Sequence, residues 1–277
     1  WNAARVLLIS AASCVIFEFL WQLLLKKPVT VGDLSAVVTG ILLGLNLPST
    51  APWWMIVIGS AVAILLVKQL FGGIGDNFVN PALSARAVLL ASWPALMSGS
   101  SAFVTPFDAV SSATPIDIIS SATVHSTAIP SNLDLLIGWV PGCIGEVSKV
   151  AILLGLVYLL IRKTISWHIP VTMIASFMLF TYLFGGDPVQ NVLLGSVLFG
   201  AVFMATDYVT SPMTRPGQMI YAAGAGLIIA LIRAFYRDHD CRTPLFTELG
   251  RELLRWLDTR AEGDAGRDDP PWLRELA

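Results

Sequence analysis

Apolar residues in this chain come in long unbroken runs, and that spacing limits the folds open to it. Four runs cover Arg5–Leu25, Leu34–Leu47, Trp53–Phe71 and Ala82–Met97; four more cover Val147–Ile161, Ile169–Phe184, Val192–Ala205 and Met219–Phe235. Runs of roughly 18–20 residues match the hydrocarbon core of a bilayer, where only helices or closed barrels satisfy every backbone polar group. Charged residues are 13% of the chain, against about a quarter in a soluble domain. The pattern predicts an all-α polytopic membrane protein with about eight transmembrane helices.

Breakers separate the runs. Lys26-Lys27-Pro28 closes the first; Asp33 opens and Pro48 ends the short second; Trp53-Trp54 anchors the third at an interface. Phe71-Gly-Gly-Ile-Gly75 is too rich in glycine for a stable helix, and Arg86 and Pro94 interrupt the fourth run. Pro141-Gly-Cys-Ile-Gly-Glu146 breaks the chain again before the fifth. Between them lies the longest polar interruption, the Ser/Thr-rich segment 98–132. Lys26, Lys27, Lys68, Arg162, Lys163 and Arg215 all face the cytoplasm if the first run passes from outside to inside. Ser98–Asp134 is then extracytoplasmic, and one further helix is expected before Trp1.

A faint repeat supports two halves. Leu34–Leu47, Pro48-x3-Pro52 and Trp53–Phe71 with Lys68 near its end are echoed by Val192–Ala205, Pro212-x3-Pro216 and Met219–Phe235 with Arg233 near its end. The copies enter their Pro-x3-Pro loops from opposite faces, so they are inverted, with helix breaks of the kind many transporters place near the midplane. Unaided, this pattern suggests a redox-inactive channel or transporter. Residues 1–235 are read as the membrane domain, because the last 42 residues hold 17 of the 36 charged ones. Within that polar tail, 236–277, Pro244–Ala261 carries leucines at helical spacing and predicts one amphipathic helix; Glu262–Pro271 is expected to be loosely ordered.

Several chemistries are excluded. A net charge of −2 gives no basis for nucleic-acid binding. Cys14, Cys143 and Cys241 have neither disulfide-framework nor zinc spacing, so no metal site is expected. No Ser-His-acid arrangement, Walker loop or complete dinucleotide fingerprint is present. Trp1–Leu25 lacks a signal-peptide cleavage site.

Asp33-Leu-Ser-Ala-Val-Val-Thr-Gly40, Phe71-Gly-Gly-Ile-Gly75, Asn80-Pro-Ala82, Gly145-Glu146 and Phe203-Met-Ala-Thr-Asp207 with Thr210-Ser-Pro212 resemble, in collinear order, the D subunit of the Rnf electron-transport complex. The B subunit of the sodium-pumping NADH:quinone reductase is the sister family. The resemblance implies a component of a bacterial or archaeal cytoplasmic membrane, working in a complex that couples ferredoxin and NAD redox chemistry to Na+ or H+ transport. It also implies FMN joined through its phosphate to a threonine, here Thr114 after Ser111, Ser112 and Ala113, attached outside the bilayer by a flavin transferase. Ser120-Ser-Ala-Thr123 repeats the pattern, but Pro115 and Asp108 favour Thr114, since family members place a proline after the modified threonine. NADH and ferredoxin chemistry would then lie on partner subunits. The family also continues past residue 235 with a glycine-containing loop and a final helix, which 236–277 do not supply.

Other candidates rest on cost. Asp76, Glu146 and Asp207 end apolar segments, and a carboxylate at membrane depth is expensive unless paired or functional, so they are candidates for an ion path. Glu146 could instead cap the helix that follows. Gly72, Gly73 and Gly75 could admit a ligand, or simply close packing at a helix break. Arg86 could neutralise Asp76 or face the flavin phosphate; His125 and His168 read as loop or interface residues.

Overall fold

In a bilayer-spanning chain the outer surface is apolar, the inverse of a soluble protein's, and the few buried polar groups must find partners within the apolar core. The computed structural model, which describes residues 1–73, 77, 79–98, 102–103, 131–207 and 209–238, shows this inversion. Leu24, Ile161 and Ile220 are 80%, 74% and 74% exposed, while Ser10, Glu18, Gln22, Lys68, Gln69 and Lys149 are buried. A surface so apolar is the kind a bilayer covers, and only internal partners can satisfy the second set.

All regular elements among the described residues are helical. Helix α1 spans Asn2–Leu24, α2 Ser35–Leu45, and α3 Trp53–Ala61, which runs on as a π-helical stretch Val62–Gln69. Then come α4 (Pro81–Ser92), α5 (Pro94–Ser98), α6 (Asn132–Ile137), α7 (Lys149–Ile161) and α8 (His168–Leu183). The chain ends its described part with α9 (Pro188–Leu193), α10 (Val197–Phe199, continued as a π turn Gly200–Met204) and α11 (Arg215–Asp238). Trp1–Ala234 packs as one unit.

The helices differ in length from the apolar runs that contain them. Among the described residues, only Asn2–Leu24 and Arg215–Phe235 are long and apolar enough to cross a membrane by themselves, and five other apolar helices are shorter. Helix α2, with 11 residues, is about 16 Å long, half the hydrocarbon thickness. The expected span Val192–Ala205 is broken, because Leu194 is extended at ψ 132° and Gly195 takes a left-handed φ of 63°. Sequence hydropathy cannot see such a break, since all of Val192–Leu194 is apolar.

Close helix approach explains the packing of α2. A Cβ at Gly40 would lie 2.6 Å from Ala11 Cα, and one at Gly44 would lie 3.0 Å from a Leu7 methyl. This small-x3-small face lets α1 and α2 touch backbone to backbone, and Ser10 Oγ donates to the Gly40 carbonyl at 2.7 Å. Leu43, Met55, Ile56, Leu89, Phe177 and Val202 belong to one core cluster that draws on both ends of the membrane domain.

Candidate functional site: a polar cavity and a cation-held helix break

Two polar regions lie inside this apolar bundle. The first is a cavity of about 430 Å³ between α2, α4, the π stretch after α3, the end of α7 and the π turn after α10. Ser35, Thr39, Lys68, Asn77, Asn80, Thr164, Thr206 and Asp207 supply its polar lining. Thr39 Oγ1 donates to the Ser35 carbonyl at 3.0 Å and Thr206 Oγ1 to the Val202 carbonyl at 2.7 Å. Asn77 Nδ2 likewise donates to the Val79 carbonyl at 3.1 Å. Their own oxygens therefore keep lone pairs that no described protein donor occupies.

Asp207 is the acid of this cavity. Asn80 Nδ2 donates to Oδ2 at 3.3 Å and Thr210 Oγ1 at 3.4 Å, both long bonds, and no described Lys or Arg pairs with it. Asn80 itself is fixed, because its Oδ1 caps α4 by accepting from the Ala82 and Leu83 amides at 3.1 and 3.2 Å. Of the sequence-predicted ion-path residues, Asp207 alone lines this cavity among those described.

Lys68 is the cation of the same lining. Its ammonium donates to both oxygens of Glu18 at 2.8 and 3.0 Å and to Ser35 Oγ at 2.5 Å. Gln69 Nε2 donates to the same carboxylate at 2.7 Å. Adjacent residues on an α-helix diverge by about 100°; the wider π turn lets Lys68 and Gln69 both reach Glu18. At the aqueous end, Ser35 donates through N and Oγ to Asp33 Oδ1 at 2.8 and 2.6 Å. Burial alone would raise the Asp33 pKa; those two hydrogen bonds, with the Lys68 charge, hold it below the usual carboxylate value. Lys68 is thus no free flanking charge, and it drops out of the argument for orientation.

The second region is the break after α9. Three cations from three helices converge on it, and no two share a partner there. Arg233 donates to the Asn191 and Leu194 carbonyls at 2.6 and 2.8 Å, and Lys149 to the Gly195 carbonyl at 3.1 Å. Arg86 reaches Ser196 Oγ at 3.2 Å and Asn46 Oδ1 at 2.9 Å. The last carbonyls of a broken helix have no intrahelical partner and no bulk water here, so cationic side chains at the negative helix end satisfy them. Arg86 therefore holds α2 to the break, and neither carboxylate pairing nor a flavin contact is needed to explain it.

Glu146 does local work. Its Oε1 accepts from the Cys143 amide at 3.0 Å and its carbonyl from Lys149 Nζ. Helix α7 is capped instead by Ser148, whose Oγ accepts from the Ala151 amide at 3.3 Å. Gly145 lies against α2, donating to the Leu45 carbonyl at 2.7 Å. Gly72 and Gly73, with φ of 130° and 110°, terminate the helix before them; the Gly73 amide closes on the Lys68 carbonyl at 3.0 Å. That conformation alone accounts for glycine at both places. Cys14 and Cys143 are buried free thiols.

Gly75, Asp76, Ser111, Ser112, Ala113, Thr114, Thr123, His125 and the tail from 239 onward lie outside the described residues. The chain on either side of 104–130 is anchored, however. The Ala102 carbonyl accepts from Thr50 Oγ1 at 2.5 Å, and Phe103 packs on Cys143. On the return, Ser131 Oγ accepts from the Asp134 amide at 3.2 Å, and Leu135 packs on Val140 and Leu194. Ala102–Phe103 and Ser131–Leu135, the described residues on either side of that segment, are thus each held to other described parts of the chain.

Short apolar helices, two breaks and an interior that holds buried charges define a helical membrane protein built around polar interior sites. A model of the NQR2, RnfD, RnfE family matches residues 1–240. The chain belongs to that family. It is 50% identical over 237 residues to the D subunit of the Na(+)-translocating ferredoxin:NAD(+) oxidoreductase complex of Acetobacterium woodii, covering 85% of this chain and 73% of the relative. It is 39% identical over 247 residues to the D subunit of the proton-translocating ferredoxin:NAD(+) oxidoreductase complex of Clostridium ljungdahlii, with 84% and 74% covered. It is also 38% identical over 212 residues to the B subunit of the Na(+)-translocating NADH-quinone reductase of Chromohalobacter salexigens, with 71% and 50% covered.

Proposed function

We propose that this chain is the membrane subunit of an ion-translocating ferredoxin:NAD(+) oxidoreductase complex, with FMN esterified through its phosphate to Thr114. The observation that carries the reading is the 50% identity, along 237 residues, to the D subunit of a complex so named, joined to the sequence Ser111-Ser112-Ala113-Thr114-Pro115. A bound FMN would take up and pass on one or two electrons, the protein supplying position and field. Thr114 offers a hydroxyl on a polar segment, and the anchors at Phe103 and Leu135 hold both ends of that segment to the bundle.

The ion is assigned to the cavity at Asp207. One carboxylate with long, weak partners shares the cavity lining with Thr39, Asn77 and Thr206, whose neutral oxygens are hard donors of the kind a small cation takes. Relatives in this family are named for Na(+) and for protons, so the reading admits either ion. The two inverted halves gain support from Lys68 and Arg233. They occupy matching ends of the repeated unit, and both are tied to a different helix.

Cells expressing the chain, the partner subunits and the flavin transferase provide the test. On a denaturing gel the chain should fluoresce as a flavoprotein. Thr114→Ala should go dark, and Thr123→Ala should stay bright. A dark wild-type band would favour the rival reading, a redox-inactive channel or transporter.

A further inference from the structure

We propose that Lys68 sets the charge selectivity of the Asp207 cavity: its ammonium is a resident cation, fixed on Glu18, that leaves one unneutralised carboxylate among the described lining residues and so restricts the cavity to monovalent cations. This rests on the assignment of the ion to that cavity.

Charge accounting carries the inference. Lys68 and Asp207 are the ionisable groups among the described lining residues, and Glu18 stands directly behind Lys68. With Lys68 in place, Glu18 is neutralised and Asp207 remains, a net charge of about −1 over the described lining residues, which one Na+ or H3O+ balances. A divalent ion would leave an uncompensated positive charge in a low-dielectric interior, which is costly.

The geometry fits a tethered cation more closely than a structural strut. The ammonium has three N–H donors, and its described partners are the two Glu18 oxygens and Ser35 Oγ, all oxygen, within 2.5–3.0 Å. That is an oxygen cage around a positive charge, on a residue that lines the cavity. Gln69 and Asp33 hold the cage in place, one bonding Glu18 and the other Ser35. Take away the ammonium and what remains is a carboxylate, a hydroxyl and space, which a divalent ion would occupy.

The test uses the assembled complex in detergent, titrated with Mn2+ and followed by electron paramagnetic resonance. Lys68→Ala should gain one bound Mn2+ per complex over wild type. Na+ should displace that Mn2+ at concentrations where choline at equal ionic strength does not, because the two ions share the cavity. The Lys68→Ala/Glu18→Gln double variant should lose the gained site. Should Lys68→Ala fail to assemble, Lys68→Gln carries the same expectation, since its shorter neutral chain also vacates the cage. An assembled Lys68→Ala or Lys68→Gln complex that binds no Mn2+ beyond wild type overturns the proposal, as does a gained site that Na+ cannot displace. The parent reading fails by a different measurement: Asp207→Asn with an unchanged ratio of ions moved per electron removes the cavity from the ion path, whatever Mn2+ does at Glu18.

Discussion

The Lys68 ammonium stands 2.8 Å from one Glu18 oxygen and 3.0 Å from the other, with 4% and 1% of the two side chains exposed. A pair so far from water is held mainly by the cost of separating it. Removing one partner strands a charge, which costs about 3–5 kcal/mol, whereas removing both is often close to neutral.

Glu18→Gln and Lys68→Met should therefore each destabilise the chain by about 3–5 kcal/mol, and Glu18→Gln/Lys68→Met should recover most of that loss. Thermal unfolding of the purified complex, read as a double-mutant cycle, gives the coupling. Additive losses in the double variant would show that the two residues act separately.

Arg233 presents a second, different case. Its guanidinium bridges the Asn191 and Leu194 carbonyls and lies 5.1 Å from the centre of the Phe177 ring. Arg233→Met would leave two carbonyls of a helix end without donors, at about 1–3 kcal/mol each. Arg233→Lys should restore only part of the loss, because an ammonium lacks the planar fork that spans both oxygens. Equal stability of the Lys variant and wild type would show that charge alone matters at this site. Amide hydrogen exchange at the start of α10 should rise in both variants, since the break loses one of its three holds.

How much of this was legible beforehand depends on whether a residue announces its own partner. Glycine and proline do: Gly72, Gly73 and Pro81 mark a helix end and a helix start where the sequence places them. Leu194-Gly195-Ser196 does not, because one glycine in an apolar run is compatible with an unbroken helix. Charges are ambiguous for the opposite reason. Lys68 and Arg233 sit near the ends of runs and read as flanking residues, yet both are turned inward by acceptors far away in sequence. Glu18 was the available signal, a carboxylate deep inside the first apolar run, and its cost at that depth demanded a partner. Asp207 was found by that same reasoning. Thr114 was legible only through the resemblance, since Thr123 carries the same local pattern.

Two helical glycines should respond to alanine in opposite ways, and the contrast tests the packing of the bundle directly. At Gly40 an added Cβ would lie 2.6 Å from Ala11 Cα and 2.8 Å from the Ser10 carbonyl oxygen, both backbone atoms that no rotamer change can move. Gly40→Ala must push α1 away from α2 and strain the Ser10 hydrogen bond, a cost of about 1–3 kcal/mol. At Gly224, in α11, nothing lies within 4 Å of the same position. Alanine there only removes conformational freedom from the unfolded chain, so Gly224→Ala should be neutral or stabilising by up to about 1 kcal/mol. Melting temperatures of the two variants, measured in one detergent, should therefore fall on opposite sides of wild type or at most coincide with it for Gly224→Ala. A Gly40→Ala protein as stable as wild type would mean that α1 and α2 do not meet backbone to backbone.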